Sequence, residues 1–255
     1  MRTIAGHVLP VAVLACACAS AACASATGKS AASTSATSKG TNVVQVSDAA
    51  DARAAGMVDV ATLAPGIRVE MRYAGSENFT GAPVPGYDAP RCYLLRPVAE
   101  ALARVQARLE AAGRSLVVYD CYRPVRSVTH FVAWARDSAD QRTKPRYYPR
   151  LDKSELLDGY IAESSGHSRG ATVDLGLLDC SAARCEPYDM GTGFDLFDPR
   201  ANTDSPEATP AQRANRQELL QAMQVEGFEN YPLEWWHYTF RPEPTPRTAY
   251  DFPVR

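Results

Sequence analysis

The feature that most limits how this chain can fold is an apolar run, ATVDLGLL, that carries a single carboxylate, Asp174. Its β-branched residues, Thr172 and Val173, favour a buried strand. A buried carboxylate without a partner costs several kcal/mol, so Asp174 must be paired, protonated or bound to a metal. One of only four histidines, His167, precedes it in a Ser/Gly-rich turn. Gly170 indicates that this turn is a loop entering the strand, which would let the two side chains converge.

A second apolar segment, PLEWWHYTF, carries Glu234 and His237 on either side of two tryptophans. Two imidazoles and one carboxylate are a common ligand set for catalytic zinc, with water in the fourth position and another carboxylate as general base. For each segment alone an ordinary alternative stays open, because a buried histidine beside an acid is more often a hydrogen-bonded core residue.

A third polar cluster, YDCYRP, begins with the last two residues of the apolar stretch SLVVYD. It places Arg123 just beyond the end of a predicted buried strand. Arg123 is either an ion-pair partner of Asp120 or a group that stabilises an oxyanion.

Charge and composition exclude other classes of function. The 27 basic and 29 acidic residues give a net charge of −2, and both signs are dispersed along the chain. No basic stripe suits nucleic acid, so we expect no nucleic-acid partner. The hydrophobic content of 45% is that of an ordinary soluble globular protein.

The N-terminal region is typical of an exported protein. Residues 1–26 have one charged side chain, Arg2, and an apolar stretch interrupted by Pro10, which predicts a signal peptide. Cleavage after the Ala-Ser-Ala at 24–26 would give a soluble periplasmic protein, whereas cleavage before Cys16 or Cys23 would give a lipid-anchored one. Residues 27–55 are Ser/Thr/Ala-rich and predict a flexible linker, so the folded domain is expected over 56–255.

Four cysteines lie beyond the predicted signal, and export would allow them to form two disulfides. Cys180 and Cys185 enclose a short loop and are the expected pair. The pairing of Cys92 and Cys121 stays open, as do free thiols.

Periodicity predicts helices over 96–113, after Pro124, and over about 210–225, and strands over 115–120, 171–178 and 235–240. Because these elements alternate irregularly, we expect an α+β single domain in which helices flank a mainly antiparallel central sheet, with a catalytic zinc in a cleft.

In this order, the segments DCYRP, SGHSRGATVDL and EWWHY resemble the signature of the D-alanyl-D-alanine dipeptidases, a family of zinc metallopeptidases. The resemblance extends from about Met57 to the C-terminal YDFPVR and includes RYAGSENFTGAPVPGYD, YYPRLD and MGTGFDLFDPR. It implies one Zn²⁺ per chain on His167, Asp174 and His237.

The resemblance also implies that Glu234 is the catalytic base and Arg123 the transition-state stabiliser. Its substrate-holding groups fall on Tyr73, Tyr87, Ser165 and Asp195. The implied activity is hydrolysis of D-alanyl-D-alanine to two D-alanine molecules, here in the cell envelope during wall turnover or salvage.

Two departures from the family pattern concern cysteines. Cys121 stands where a small residue is typical, and the loop from Cys180 to Cys185 is an addition; we interpret both as adaptations to an oxidising compartment. Two alternatives to the dipeptidase are a zinc D,D-carboxypeptidase that trims peptidoglycan stems and a non-catalytic lipoprotein that binds cell-wall fragments.

Overall fold

Strands and helices follow one another irregularly in the computed structural model, which describes residues 44–255. The strands within this range, β1 to β10 in chain order, are Gln45–Val46, Met57–Asp59, Arg68–Val69, Tyr93–Leu95, Arg114–Asp120, Thr172–Asp179, Glu186–Pro187, Phe228–Asn230, His237–Phe240 and Thr248–Ala249. The α-helices, α1 to α5, are Val60–Leu63, Arg96–Ala111, Val125–Arg136, Lys144–Tyr147 and Pro210–Gln224. Short 3₁₀ helices lie at Arg72–Ala74, Lys153–Leu157, His167–Arg169 and Pro199–Ala201. The described part is thus a mixed α/β domain, and none of its helices is long and apolar enough to cross a membrane.

The central sheet has the strand order β3-β5-β6-β9-β8, and β7 pairs with the far end of β6. The β3–β5 pair is parallel, and β6 is antiparallel to β5, β7 and β9. Strand β8 is antiparallel to β9. Residues 172–178 of β6 are all buried, so both faces of this strand are covered. The site-bearing strand therefore lies in the interior, where a charged side chain needs partners.

The predicted helices are confirmed with small shifts at their ends. Helix α2 packs on β5 and begins with Pro97 in its first turn. It ends before Gly113, whose positive φ of 72° suits a helix exit. Helix α3 begins directly after Pro124, and α5 begins with a capping box between Thr209 and Gln212.

The last predicted strand is shorter in the structure, because β9 begins only at His237. The preceding tryptophans lie in a turn, where the backbone N–H of Trp235 donates to the carbonyl of Ala201 at 3.0 Å. The side-chain amide of Asn230 donates to the carbonyls of both Glu234 and His237 at 3.0 Å. These bonds hold Glu234 in the turn, so only residues from His237 onward join the sheet.

Ordered structure begins before the predicted domain start at residue 56. Strand β1, inside the predicted linker, pairs in parallel with β10 near the other end of the chain. A two-residue strand has no periodicity that a sequence could reveal. The predicted signal peptide at 1–26, with its three cysteines, and the linker up to residue 43 lie outside the described residues.

Two disulfides join the four cysteines of the domain. Cys180 pairs with Cys185, as predicted, and Cys92 pairs with Cys121. The first encloses a surface loop after β6. The second is fully buried and joins the residue before β4 to the residue after β5.

Candidate active site

The centre of the site is a row of side chains across three adjacent strands. In the register of the sheet, Asp120 of β5 faces Asp174 of β6, and Asp174 faces His237 of β9. His167 belongs to the 3₁₀ helix that leads into β6, separated from the strand by Gly170 in a left-handed conformation. Sheet register and this turn therefore bring both predicted histidines to Asp174.

Three possible ligand atoms lie within 4.8 Å of one another, and they belong to His167, Asp174 and His237. Asp174 Oδ1 is 3.3 Å from His167 Nε2 and 3.0 Å from His237 Nδ1. The two imidazole nitrogens are 3.4 Å apart. Asp174 Oδ1 is buried without a hydrogen-bond partner, which is costly for a carboxylate unless a cation binds there.

The orientation of His167 is fixed from its other ring nitrogen. His167 Nδ1 donates to the backbone carbonyl of Cys121 at 2.7 Å and lies 3.4 Å from the Asp120 carboxylate. Since a carbonyl only accepts, Nδ1 carries a proton, and Nε2 is the ring atom directed at the cluster. This is how metal-binding histidines are usually held.

Asp120 connects more of the site than its sequence position suggested. It is fully buried, accepts from the Tyr87 hydroxyl at 2.6 Å and pairs with Arg123 Nη2 at 2.8 Å. Sequence reasoning treated it only as an alternative partner for Arg123. Its position at the end of a buried strand was the available signal, but its contact with His167 depends on the sheet register.

Arg123 reaches the cavity from the segment after β5. Its side chain is 14% exposed, and one nitrogen, Nη2, lies 3.6 Å from Asp174 Oδ2. The guanidinium group lies over the rings of Tyr73 and Phe131, at 5.2 and 5.1 Å from their centroids. The ion pair and the two rings hold the cation at the cavity wall, so both sequence interpretations of Arg123 are compatible with its position.

Glu234 lies in the turn before β9, with Oε2 at 3.5 Å from His237 Nδ1. Burial raises the pKa of this carboxyl group to about 7, and Asp174 adds to the increase, whereas His237 and Arg123 oppose it. A carboxyl group beside the cluster that can both take and release a proton near neutral pH suits a general base.

A second acidic centre lies on the wall of the same cavity. Asp195 is buried, its Oδ1 accepts from the Tyr73 hydroxyl at 3.0 Å, and its Oδ2 has no hydrogen-bond partner. Burial raises its pKa well above the usual range, and Asp174 adds to the increase. Its φ of 63° is unusual for a residue other than glycine and costs roughly 1–3 kcal/mol. A cationic ligand beside Oδ2 would offset the effect of burial and stabilise the ionised carboxylate.

The cavity has a volume of about 210 Å³, small beside the roughly 300–1,000 Å³ of common ligand pockets. Seven predicted site residues line it, and Ser165 also accepts from the His167 backbone N–H at 3.2 Å. These seven are Tyr73, Arg123, Ser165, Asp174, Asp195, Glu234 and His237. His167 is buried behind the wall, and Tyr87 contacts Asp120. Tyr87 thus reaches the site through Asp120, and its predicted role in holding substrate stays a prediction.

A mixed sheet with a His/Asp/His cluster, a neighbouring carboxylic acid and a partly buried arginine defines a candidate metal-dependent hydrolase. The chain belongs to the D-ala-D-ala dipeptidase family, whose model matches residues 53–255. The family resemblance and the expectation of a hydrolase are thereby confirmed.

Several relatives bear the name D-alanyl-D-alanine dipeptidase. The one from Streptomyces coelicolor is 45% identical over 75% of this chain and 95% of its own length. Those from Enterococcus faecium and Escherichia coli are 39% and 32% identical, over 74% and 71% of this chain and 94% and 83% of their own lengths. A solved structure titled "VanYB in complex with D-Alanine-D-Alanine" has a TM-score of 0.37 and 15% identity over 61% of this chain and 75% of its own, a similarity too low for any argument.

Proposed function

We propose that this protein hydrolyses D-alanyl-D-alanine to two D-alanine molecules with one zinc ion per chain. The family and its dipeptidase relatives support the activity. The observation that carries the site assignment is one small cavity with two buried carboxylate oxygens that accept no well-oriented hydrogen bond, Asp174 Oδ1 and Asp195 Oδ2. The first would take the metal, and the second would take the ammonium group of the substrate.

The donor set fits zinc. Ligand atoms on a tetrahedral zinc with bonds of 2.0–2.1 Å lie about 3.3 Å apart. The separations among His167 Nε2, Asp174 Oδ1 and His237 Nδ1 are 3.3, 3.0 and 3.4 Å. Three protein ligands leave a fourth position for water or substrate, as catalytic zinc sites do.

A bound zinc ion would supply an activated water and polarise the scissile carbonyl group. Glu234, next to the cluster, would take the proton from the attacking water and later deliver it to the departing amine. Arg123 would donate to the oxygen on which negative charge develops. Asp120, by pairing with Arg123, would keep that guanidinium group in place.

Recognition of a free dipeptide needs a group for its ammonium end. Asp195, held by Tyr73, supplies a carboxylate oxygen with no other partner, and a charge-assisted bond there would be stronger than a neutral one. Ser165 is on the same wall. The small volume favours a dipeptide over a longer stem.

We further propose that the protein acts outside the cytoplasm, in periplasmic soluble or lipid-anchored form, on dipeptide released during wall turnover. The predicted signal peptide supports export, and two disulfides are typical of an oxidising compartment. There the enzyme would salvage D-alanine.

The test is release of D-alanine from D-alanyl-D-alanine by the purified full chain, with and without a chelator. L-alanyl-L-alanine and a stem pentapeptide are comparison substrates. Glu234→Gln should lower kcat roughly 10²- to 10⁴-fold, because it removes the general base. Glu229→Gln, an exposed glutamate on β8, is the matched control.

Cleavage of the free D,D-dipeptide alone, lost on chelation, is the expected result. Preferential cleavage of the pentapeptide would instead assign the protein to the D,D-carboxypeptidases. Zinc binding without cleavage of any substrate would favour the non-catalytic binding lipoprotein and contradict the proposal.

A further inference from the structure

Cys121 occupies the point where the chain leaves the sheet and enters the site. Strand β5 ends at Asp120, and residues 121–124 belong to no helix or strand. The Cys121 carbonyl is therefore not held by a strand partner, although it is the acceptor for His167 Nδ1 at 2.7 Å. Its position sets the direction of the His167 ring.

Noncovalent contacts hold the side chains of this segment, since the Tyr122 hydroxyl donates to the Phe252 carbonyl at 2.8 Å and Arg123 Nη2 pairs with Asp120 at 2.8 Å. The backbone N–H of Tyr122 donates to the Tyr93 carbonyl at 2.9 Å, and that of Arg123 donates to the His167 carbonyl at 3.3 Å. The covalent link is the disulfide between Cys121 and Cys92, whose own carbonyl accepts from the N–H of Val60 at 2.9 Å. The sulfur bridge thus ties the segment to the start of β4.

Both cysteines are fully buried. Two unbonded sulfur atoms need more room than a bonded pair, and a close-packed interior has little to give. Loss of the bond would therefore shift the backbone at Cys92 or at Cys121. A shift at Cys121 would move its carbonyl group.

We propose that the Cys92–Cys121 disulfide is a positioning element of the metal site, which holds the Cys121 carbonyl where it orients His167 toward Asp174 and His237. The proposal rests on the proposed function in taking His167 as a metal ligand. Partners that orient a ligand typically change metal affinity 10- to 100-fold when lost. The bridge would thus adjust metal affinity as well as overall stability.

The chain offers a matched control in the Cys180–Cys185 disulfide. Its two cysteines are 5 positions apart in sequence, and it closes a loop at the far end of β6. The full-length double variants Cys92→Ala/Cys121→Ala and Cys180→Ser/Cys185→Ser are compared with the unaltered chain. The zinc dissociation constant of each is measured by competition with a chromophoric chelator. Unfolding in urea reports stability, and kcat and KM for D-alanyl-D-alanine are measured across zinc concentrations.

The expected result is a zinc dissociation constant about 10- to 100-fold higher for Cys92→Ala/Cys121→Ala and a change within about twofold for the control pair. Excess zinc should recover much of kcat, and KM should stay near its original value because Asp195 and Tyr73 are untouched. A folded Cys92→Ala/Cys121→Ala protein with unchanged zinc affinity would overturn the proposal and leave the bridge as a general staple.

If that variant does not fold, the control variant provides a second measurement. Its buried bridge is reduced with a phosphine, the redox state of Cys92 and Cys121 is checked by alkylation and peptide mass spectrometry, and zinc affinity is measured before and after. Weaker binding by a folded, reduced protein supports the proposal; unchanged binding, or unfolding on reduction, overturns it. Failure of the unaltered chain to bind zinc would contradict the proposed function itself, which separates the two failures.

Discussion

Asp174 and Asp195 are both buried carboxylates on one cavity wall, yet their pKa values shift in opposite directions. Burial alone would raise the pKa of Asp174, but the imidazoles of His167 and His237 outweigh it and bring the pKa below its usual range. At Asp195 burial prevails, because its direct partner is the neutral hydroxyl of Tyr73.

Each of the two carboxylates has one oxygen without a hydrogen-bond partner. Asp174 Oδ1 lies within 3.3 Å of two imidazole nitrogens, a setting that suits a metal ion. Asp195 accepts from the Tyr73 hydroxyl, and we propose that it binds the ammonium group of the substrate. We propose that the same residue type at similar depth serves two purposes, decided by its neighbours.

The largest effect is expected when Asp174, the proposed metal ligand, is replaced. Asp174→Asn should abolish tight zinc binding and lower kcat/KM at least roughly 10³-fold, since a Lewis acid supplies several kcal/mol of transition-state stabilisation. Zinc content by mass spectrometry and D-alanine release measure the two effects. Asp179→Asn, at the exposed end of the same strand, is the control, and a fully active, metal-free Asp174→Asn protein would contradict the assignment.

Arg123→Lys tests the group that is proposed to stabilise the developing negative charge. Lysine lacks the planar fork that pairs with Asp120, so kcat should fall roughly 10²- to 10³-fold while zinc stays bound. Steady-state kinetics and zinc content check this. Arg126→Lys, exposed on α3, is the comparison, and a change in KM alone would show that Arg123 serves binding and not the transition state.

Asp195→Asn should weaken binding of the ammonium group of the substrate. Loss of a charged acceptor costs about 1.5–3 kcal/mol, which would raise KM for D-alanyl-D-alanine roughly 10- to 150-fold. Zinc affinity should be unchanged, in contrast to Asp174→Asn. Asp204→Asn, on the surface, is the control. A loss of zinc in the Asp195 variant would contradict the proposal that Asp195 binds substrate and not the metal.

Tyr73→Phe is expected to have the smallest effect. It removes the hydroxyl that donates to Asp195 at 3.0 Å, worth about 1 kcal/mol, or roughly fivefold in KM. The ring keeps its contacts with Phe131 and Arg123. Initial-rate kinetics measure the change; an effect larger than that of Asp195→Asn would mean that the hydroxyl contacts the substrate itself.

Much of the site was predictable because its chemistry is local in sequence. Asp174 in an apolar strand, His167 in a turn before it, and the pair Glu234 and His237 each stood out as polar groups in apolar surroundings. Helix α2 followed from its apolar spacing, and the Cys180–Cys185 pair from the short loop between its members.

What the sequence could not provide depends on contacts between distant segments. The row from Asp120 through Asp174 to His237 exists only in the sheet register. The Cys92–Cys121 bridge joins residues 29 positions apart, and nothing in their flanks marks them as partners. The attachment of the Tyr87 hydroxyl to Asp120 is equally invisible until the fold brings them together.

The most direct test of the separate roles proposed for Asp174 and Asp195 compares kcat/KM for two substrates, D-alanyl-D-alanine and its N-acetyl derivative. Both are measured with the zinc-loaded protein and with Asp195→Asn. Acetylation removes the ammonium charge and leaves the scissile bond intact. The account predicts a strong preference for the free amine, roughly 10-fold or more, that nearly disappears in Asp195→Asn. Equal cleavage of both substrates by the unaltered protein, or an undiminished preference in the variant, would contradict it.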